Sequence, residues 1–272
     1  MFATAILSQV LLAASALAIP SSYERYSRRI ERRDLGVHLS RPSFRHDLQP
    51  LSAHESKGPT DNANVQYSGN WAGAVLVADN ATYTAVTATF TVPKPSGSSG
   101  ASASAWVGID GDTCSTAILQ TGVDFNVKDG SPTYDAWYEW YPDYAYDFSG
   151  IDFSAGDSVT VTVTASSLTS GTAIIENTTT GKKVSHTFKN QTQPLCETNA
   201  EWIVEDFESN GSQVDFANFD TVKFADAKAT LIDGSTVGPT GADILDIKMN
   251  NTIYTDCSAD DSSVTCSYIK ST

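Results

Sequence analysis

Beyond residue 60 the chain has no arginine, a single histidine (His186), and no apolar run long enough to span a bilayer. The histidine count excludes most His-dependent chemistry. A Ser-His-Asp arrangement needs an imidazole beside a nucleophile. His186 sits in Val-Ser-His-Thr-Phe, which reads as an ordinary strand segment. No Gly-x-Ser-x-Gly elbow and no glycine-rich phosphate loop occurs. Zinc sites built on His or thiolate pairs fall by the same count, so no metal is expected. Asp110-Gly111-Asp112 lacks the onward ligand spacing of a calcium loop and reads as a turn. Sustained helical periodicity is missing as well. What remains is carboxylate and amide chemistry, with no cofactor implied.

Charge divides the chain. Residues 1–60 hold eight Lys/Arg against five Asp/Glu, whereas residues 61–272 hold nine Lys against 27 Asp/Glu, a net of −18. Residues 1–18 form an apolar leader ending in Ala16-Leu17-Ala18, the small-x-small pattern of a secretory signal peptide. Residues 19–61, with Arg28-Arg29 and Arg32-Arg33, read as a basic prosegment, and residues 62–272 as one domain. Secretion to the extracellular space follows, with five Asn-x-Ser/Thr acceptors at Asn80, Asn177, Asn190, Asn210 and Asn250 available for glycans. The acidic balance argues against nucleic acid and anionic membranes as partners, and a monomer is expected because the sequence shows no exposed apolar stripe. Carboxylates without cationic partners repel one another, which raises their folded-state pKa values. The fold is then expected to be most stable in acid and to weaken as pH rises.

Cys114, Cys196, Cys257 and Cys266 form an even set in a secreted chain, so disulfides are expected. Three pairings are possible. Cys257 with Cys266 would staple a terminal hairpin across an acidic turn; Cys114 with Cys196 would then close a long loop and stabilise by roughly 4 kcal/mol in the chain-entropy model.

Twelve strand-like segments rich in Thr and Val lie between Gly69 and Ile269, parted by turn residues. They predict an all-β antiparallel sandwich. The central stretch is Trp106 to Asp124. With period two, Leu119, Val123 and Phe125 share one face, and Gln120, Gly122 and Asp124 the other. The preceding run alternates in the same way, Ala105, Val107 and Ile109 against Trp106, Gly108 and Asp110. In TYDAWYEWYP, Asp135, Trp137, Glu139 and Tyr141 make an acidic and aromatic wall for an extended ligand. Glu205 shares a face with Ile203 and Phe207, and a carboxyl among apolar neighbours is a candidate for a raised pKa and acid/base work.

The segments SGNWAGAVL, AWVGIDGDTCSTAILQTGVDF, TYDAWYEWYP, CETNAEWIVEDFE and CSADDSSVTCSYI closely resemble the fungal glutamic peptidases, the eqolisins, over residues 65–269. The resemblance implies a concanavalin-like sandwich of two sheets of about seven strands, and acid endopeptidase activity insensitive to pepstatin. It implies a catalytic dyad of Gln120 and Glu205, and a cleft lined by Trp106, Asp110, Asp124, Trp137, Glu139 and Tyr141. It also pairs Cys114 with Cys196 and Cys257 with Cys266. Protein or peptide substrates would be the partners, with the chain's own prosegment as inhibitor. Between Phe207 and Val222 the chain lacks extra residues, including Cys, expected in some members. Two other classes use a similar face: a retaining glycosidase with Glu139 and Glu205 as its carboxylates, and a lectin-like binding module. The first gives Gln120 no required role, and the second would not need a prosegment.

Overall fold

The structure is a computed structural model that describes residues 38–45 and 65–269, both within one compact unit, Val37–Thr272. The expected signal peptide, most of the expected prosegment and its boundary near residue 61 lie outside the described residues. Among the described residues there is no helix, so none is long and apolar enough to cross a membrane.

Two broad sheets face each other. The first runs in the order Lys182–Phe188, Ser170–Asn177, Ser158–Ser167, Tyr83–Thr91, Thr221–Leu231, Val264–Tyr268, Thr255–Ala259, with Thr236–Val237 added on Thr221–Leu231. The second runs Thr252–Ile253, Asp243–Met249, Trp71–Val77, Asn199–Glu205, Ala101–Ile109, Ile118–Lys128, Ser131–Tyr141, Tyr146–Asp147. Val65–Ser68 and Asp215–Phe216 join the second sheet in parallel, against an otherwise antiparallel ladder. Each of the twelve strand-like segments contains a strand. The totals of 8 and 10 strands exceed the expected seven per sheet because they include two-residue strands, one in the first sheet and three in the second.

Alternation explains the layers. On the first sheet Val86, Ala88 and Phe90 point inward with Val159, Val161 and Val163, while Thr87 and Thr89 point outward and bond Thr162 and Thr160 at 2.7 and 2.8 Å. On the second sheet Ala105, Val107, Leu119, Val123, Phe125, Trp202 and Val204 enter the same core. The Ala101–Ile109 and Asn199–Glu205 strands are buried on both faces, which their local sequence does not announce. Their second face carries a smaller apolar cluster that includes Trp71, Trp106, Trp137 and Ile203.

Two disulfides close the scaffold, Cys114–Cys196 and Cys257–Cys266. The latter joins directly opposed residues of the terminal hairpin. Of the five glycan acceptors, Asn177 is fully buried and its amide donates to Asp152 O and Asp157 Oδ2 at 3.0 Å each. A glycan there would break both bonds; Asn80, Asn190, Asn210 and Asn250 are exposed.

Candidate active site

Register places the candidate residues in three rows across the second sheet. One row reads Glu201, Gly108, Gln120, Glu139; the next Ile203, Trp106, Gly122, Trp137; the third Glu205, Ser104, Asp124, Asp135. Because residues two apart share a face, all three rows lie on the side away from the main core. Glycine is required in the middle of two rows. A Cβ on Gly122 would lie 2.4 Å from Trp106 Cβ, and one on Gly108 would lie 2.8 Å from the Trp106 ring and 2.6 Å from Glu201 Oε1. The missing side chains leave room for the indole and the carboxyl.

Glu205 is fully buried and accepts a hydrogen bond from Trp106 Nε1–H at 2.9 Å on Oε2. Trp137 Nε1–H donates to Ser104 Oγ at 3.1 Å, which fixes the neighbouring indole. Gln120 is fully buried too, and neither amide atom has a hydrogen-bond partner among the described residues. One oxygen of Glu139, one of Asp124 and both of Glu201 are in the same state. Tyr141 packs at the edge of the aromatic cluster. Asp110 is elsewhere: the strand ends at Ile109, the backbone turns through φ 70° at Asp110, and the carboxylate accepts backbone N–H bonds from Cys196, Glu197, Thr198 and Asn199 at 2.7–3.2 Å. Its work is to hold the 196–199 loop. The one cluster of metal-ligand types among the described residues is Asp110 with Cys114 and Cys196, and its two sulfurs are spent in the disulfide.

The rows are covered by residues 38–45. His38–Leu39 pairs with Glu208–Ser209, His38 stacks on Phe207 with centroids 4.1 Å apart, and its Nδ1 lies 2.8 Å from Asp124 Oδ2. Ser40 Oγ donates a short hydrogen bond to Glu205 Oε2, Ser40 N–H donates to Glu139 Oε2 at 3.2 Å, and Arg41 N–H donates to Glu205 Oε1 at 3.1 Å. Basic side chains anchor the segment: Arg41 to Glu208 at 2.7 Å, and Arg45 to Asp112 and Asp243, the latter at 3.0 Å. Asn70 ties down its middle, accepting from Phe44 N–H at 2.9 Å and donating to Arg41 and Pro42 carbonyls.

Burial dominates the electrostatics. Desolvation pushes Glu205 up to about 7, against the lowering effect of Ser40, His38, Arg41 and Trp106. It pushes Asp206 up to about 8, with Glu205 and Asp215 adding repulsion. Glu139 rises well above the ordinary range through burial and then the nearby Glu205; Glu201 rises through burial and then Asp110 and Asp112. Mutual repulsion, the cause expected from composition, is thus the secondary one. Neither Glu201 nor Asp206 stands out in the sequence, although Glu201 has the same parity as Ile203 and Glu205.

Known proteins match the chain over most of its length. The model of the Peptidase A4 family matches residues 69–268. Aspergillopepsin-2 of Aspergillus niger is 51% identical over 285 residues, spanning 97% of this chain and 98% of its own. Scytalidopepsin B of Scytalidium lignicola is 45% identical over 273 residues, with the same coverage. Among solved structures, scytalido-glutamic peptidase with a transition state analog inhibitor superposes with a TM-score of 0.70 at 51% identity, covering 74% of this chain and 98% of that one. Aspergilloglutamic peptidase from Aspergillus niger gives 0.61 at 60% identity, covering 62% and 99%. None of these relatives favours the carbohydrate-active alternatives. With an antiparallel sandwich that buries an acid and an amide on one face, and with these proteins matching most of its length, the chain belongs to the Peptidase A4 family and is a glutamic endopeptidase.

Proposed function

We propose that the chain is secreted as an inactive precursor and hydrolyses peptide bonds in proteins at acid pH, with Glu205 and Gln120 as its dyad. The observation that carries this reading is the setting of Glu205. Its Oε2 is fixed by the Trp106 indole and also accepts from the Ser40 hydroxyl, while Oε1 accepts from Arg41 N–H. A carboxylate so placed can hold a water where Ser40 Oγ now lies. Removing the covering segment admits solvent, which relieves burial and replaces the lost hydrogen bonds, so the Glu205 carboxylate becomes available in acid. It then takes a proton from the attacking water and, protonated, returns it to the departing amine. Gln120 donates its amide N–H to the developing oxyanion. A neutral amide suits acid conditions because it does not titrate. Asp124, Glu139 and Trp137 line the substrate's path, as their contacts with residues 38–45 support, and Tyr141, packed at the edge of the same aromatic cluster, is assigned to that wall.

The same contacts support autoinhibition. His38, Arg41 and Arg45 face carboxylates, so the segment binds when those are ionised and is released when acid neutralises them. Residues 38–45 are therefore assigned to the prosegment, with Ser40 blocking the position of the water.

The test is hydrolysis of a denatured protein at pH 3 with pepstatin present, by the chain freed of residues 1–61. Wild type is expected to cleave, and Glu205→Gln and Gln120→Ala to lose activity by at least about a hundredfold. Cleavage by Glu205→Gln at the wild-type rate would overturn the dyad, and an uncut precursor as active as the processed form would overturn the zymogen reading.

A further inference from the structure

Glu201 is a fully buried acid that the dyad mechanism leaves without a task. It stands in the Asn199–Glu205 strand four residues before Glu205, in the same cross-strand row as Gln120, with only Gly108 between them. The gap at Gly108 brings them near each other: the point where a Cβ would sit is 2.6 Å from Glu201 Oε1 and 3.4 Å from Gln120 Cβ. Both Glu201 oxygens and both Gln120 amide atoms lack a hydrogen-bond partner among the described residues. Buried polar atoms are rarely left so, and these two groups are complementary, since a carboxylic acid O–H donates to an amide oxygen. Glu139 flanks Gln120 on the other side, but its Oε2 is turned to the Ser40 backbone and so toward whatever occupies the cleft. The Glu201 oxygens, unlike that one, take no hydrogen bond from residues 38–45.

We propose that Glu201, as the carboxylic acid, is a positioning residue: it donates to Gln120 Oε1 across Gly108 and so fixes the carboxamide with Nε2–H aimed at the oxyanion. An unrestrained amide presents oxygen as readily as nitrogen to the cleft, and an oxygen there would repel the developing negative charge. The protonated state is the one burial enforces, with Asp110 and Asp112 acting in the same direction. Gly108 then has a second reason to be glycine, because any side chain would separate the acid from the amide.

This inference rests on the dyad reading, and the experiment separates the two. In the processed enzyme at pH 3 we would measure kcat and KM for Glu201→Met, Glu201→Gln, Gln120→Ala, and Glu201→Met combined with Gln120→Ala. Met and Gln both approximate the volume of Glu, so each should fold, which thermal melting checks. Glu201→Met is expected to lose about thirtyfold in kcat at unchanged KM, a fraction of what loss of an oxyanion donor costs. Glu201→Gln is expected to stay within about threefold, because its amide N–H still reaches Gln120 Oε1. Added to Gln120→Ala, the Met substitution should cost nothing further, as expected of residues acting as a unit. Equal kcat for Met and wild type, equal losses for Met and Gln, a loss confined to KM, or an independent loss in the double variant would each overturn the proposal. Wild-type kcat in Gln120→Ala would instead sink the dyad reading itself.

Discussion

The outward faces of the two sheets are built from opposite materials. On the first sheet the outward face is threonine, with Thr87 and Thr162, Thr89 and Thr160 bonded in pairs and partly exposed. On the second it is tryptophan and carboxyl, buried, with Gln120, Glu139 and Glu201 left with unpaired atoms. The inner faces are alike, so the difference does not serve the sandwich. A buried acid without a partner destabilises a fold once it must ionise. A face that keeps several of them is arranged for a ligand and for acid conditions, and the polar segment laid over it here satisfies Glu205 and one oxygen each of Glu139 and Asp124.

The largest test of this contrast lies in the shared core. Phe125 is fully buried between the sheets, its ring edge-on to Phe90 at 6.2 Å. Phe125→Ala should cost about 3–5 kcal/mol, and the loss should be the same in acid and near neutrality because its neighbours in the core are apolar. Denaturant unfolding at both pH values checks it. A strongly pH-dependent loss would mean that the core and the acid face are not energetically distinct.

The acid face should behave in the opposite way. Asp206, next to Glu205, is raised by burial to about 8. A carboxyl raised in the folded state contributes its full stability below the unfolded pKa of about 4 and loses it as pH climbs through the folded value. Glu139, Glu201, Glu205 and Asp246 share the sign. The melting temperature of the whole chain should therefore fall between about pH 4 and pH 8. Asp206→Asn should remove part of that slope, leaving pH 3 nearly unchanged and gaining about 2 kcal/mol at pH 8. A melting temperature that rises from pH 4 to pH 8 would contradict the assignment of these groups.

Period-two alternation makes the strands and the shared face of Gln120 and Glu205 legible, since Thr/Val patterns and the parity of these two residues are local properties. The strand Thr255–Ala259 is not legible, because Thr-Asp-Cys-Ser-Ala shows no apolar alternation and is held by its partner and the disulfide. Glu201 is hidden in the sequence because an acid near the start of a strand reads as solvated. Its burial comes from tertiary packing that the segment itself does not encode. Asp110 continues the parity of Trp106 and Gly108, but the left-handed backbone at that residue carries its carboxylate to the 196–199 loop. The basic segment is visible as charge, whereas the residues that reach Glu205 are not, because their choice depends on folding across more than 160 positions, from Ser40 to Glu205.

The smallest expected effect bears on how the acid face is satisfied. Ser40 contributes to Glu205 one hydroxyl, which also lies 3.3 Å from His38 Nε2, while the bonds of Arg41 N–H and Phe44 N–H do not depend on it. A synthetic peptide of residues 38–45 should inhibit the processed enzyme at pH 5, and its Ser40→Ala form should bind about fivefold more weakly, the worth of one hydrogen bond between neutral groups, since Glu205 is raised to about 7 beneath the segment. Replacing Arg45 by Gln in the same peptide removes the pairs with Asp112 and Asp243, and its effect should fade as pH drops toward 3, because burial raises the Asp112 carboxyl and acid neutralises it. The Ser40 effect should instead persist at pH 3, because a hydroxyl bonds a neutral carboxyl as well as a carboxylate. Equal inhibition at pH 5 by the unaltered peptide and its Ser40→Ala form would mean that the segment covers the acid face by its basic side chains alone, and that no group of the chain stands where the water is expected.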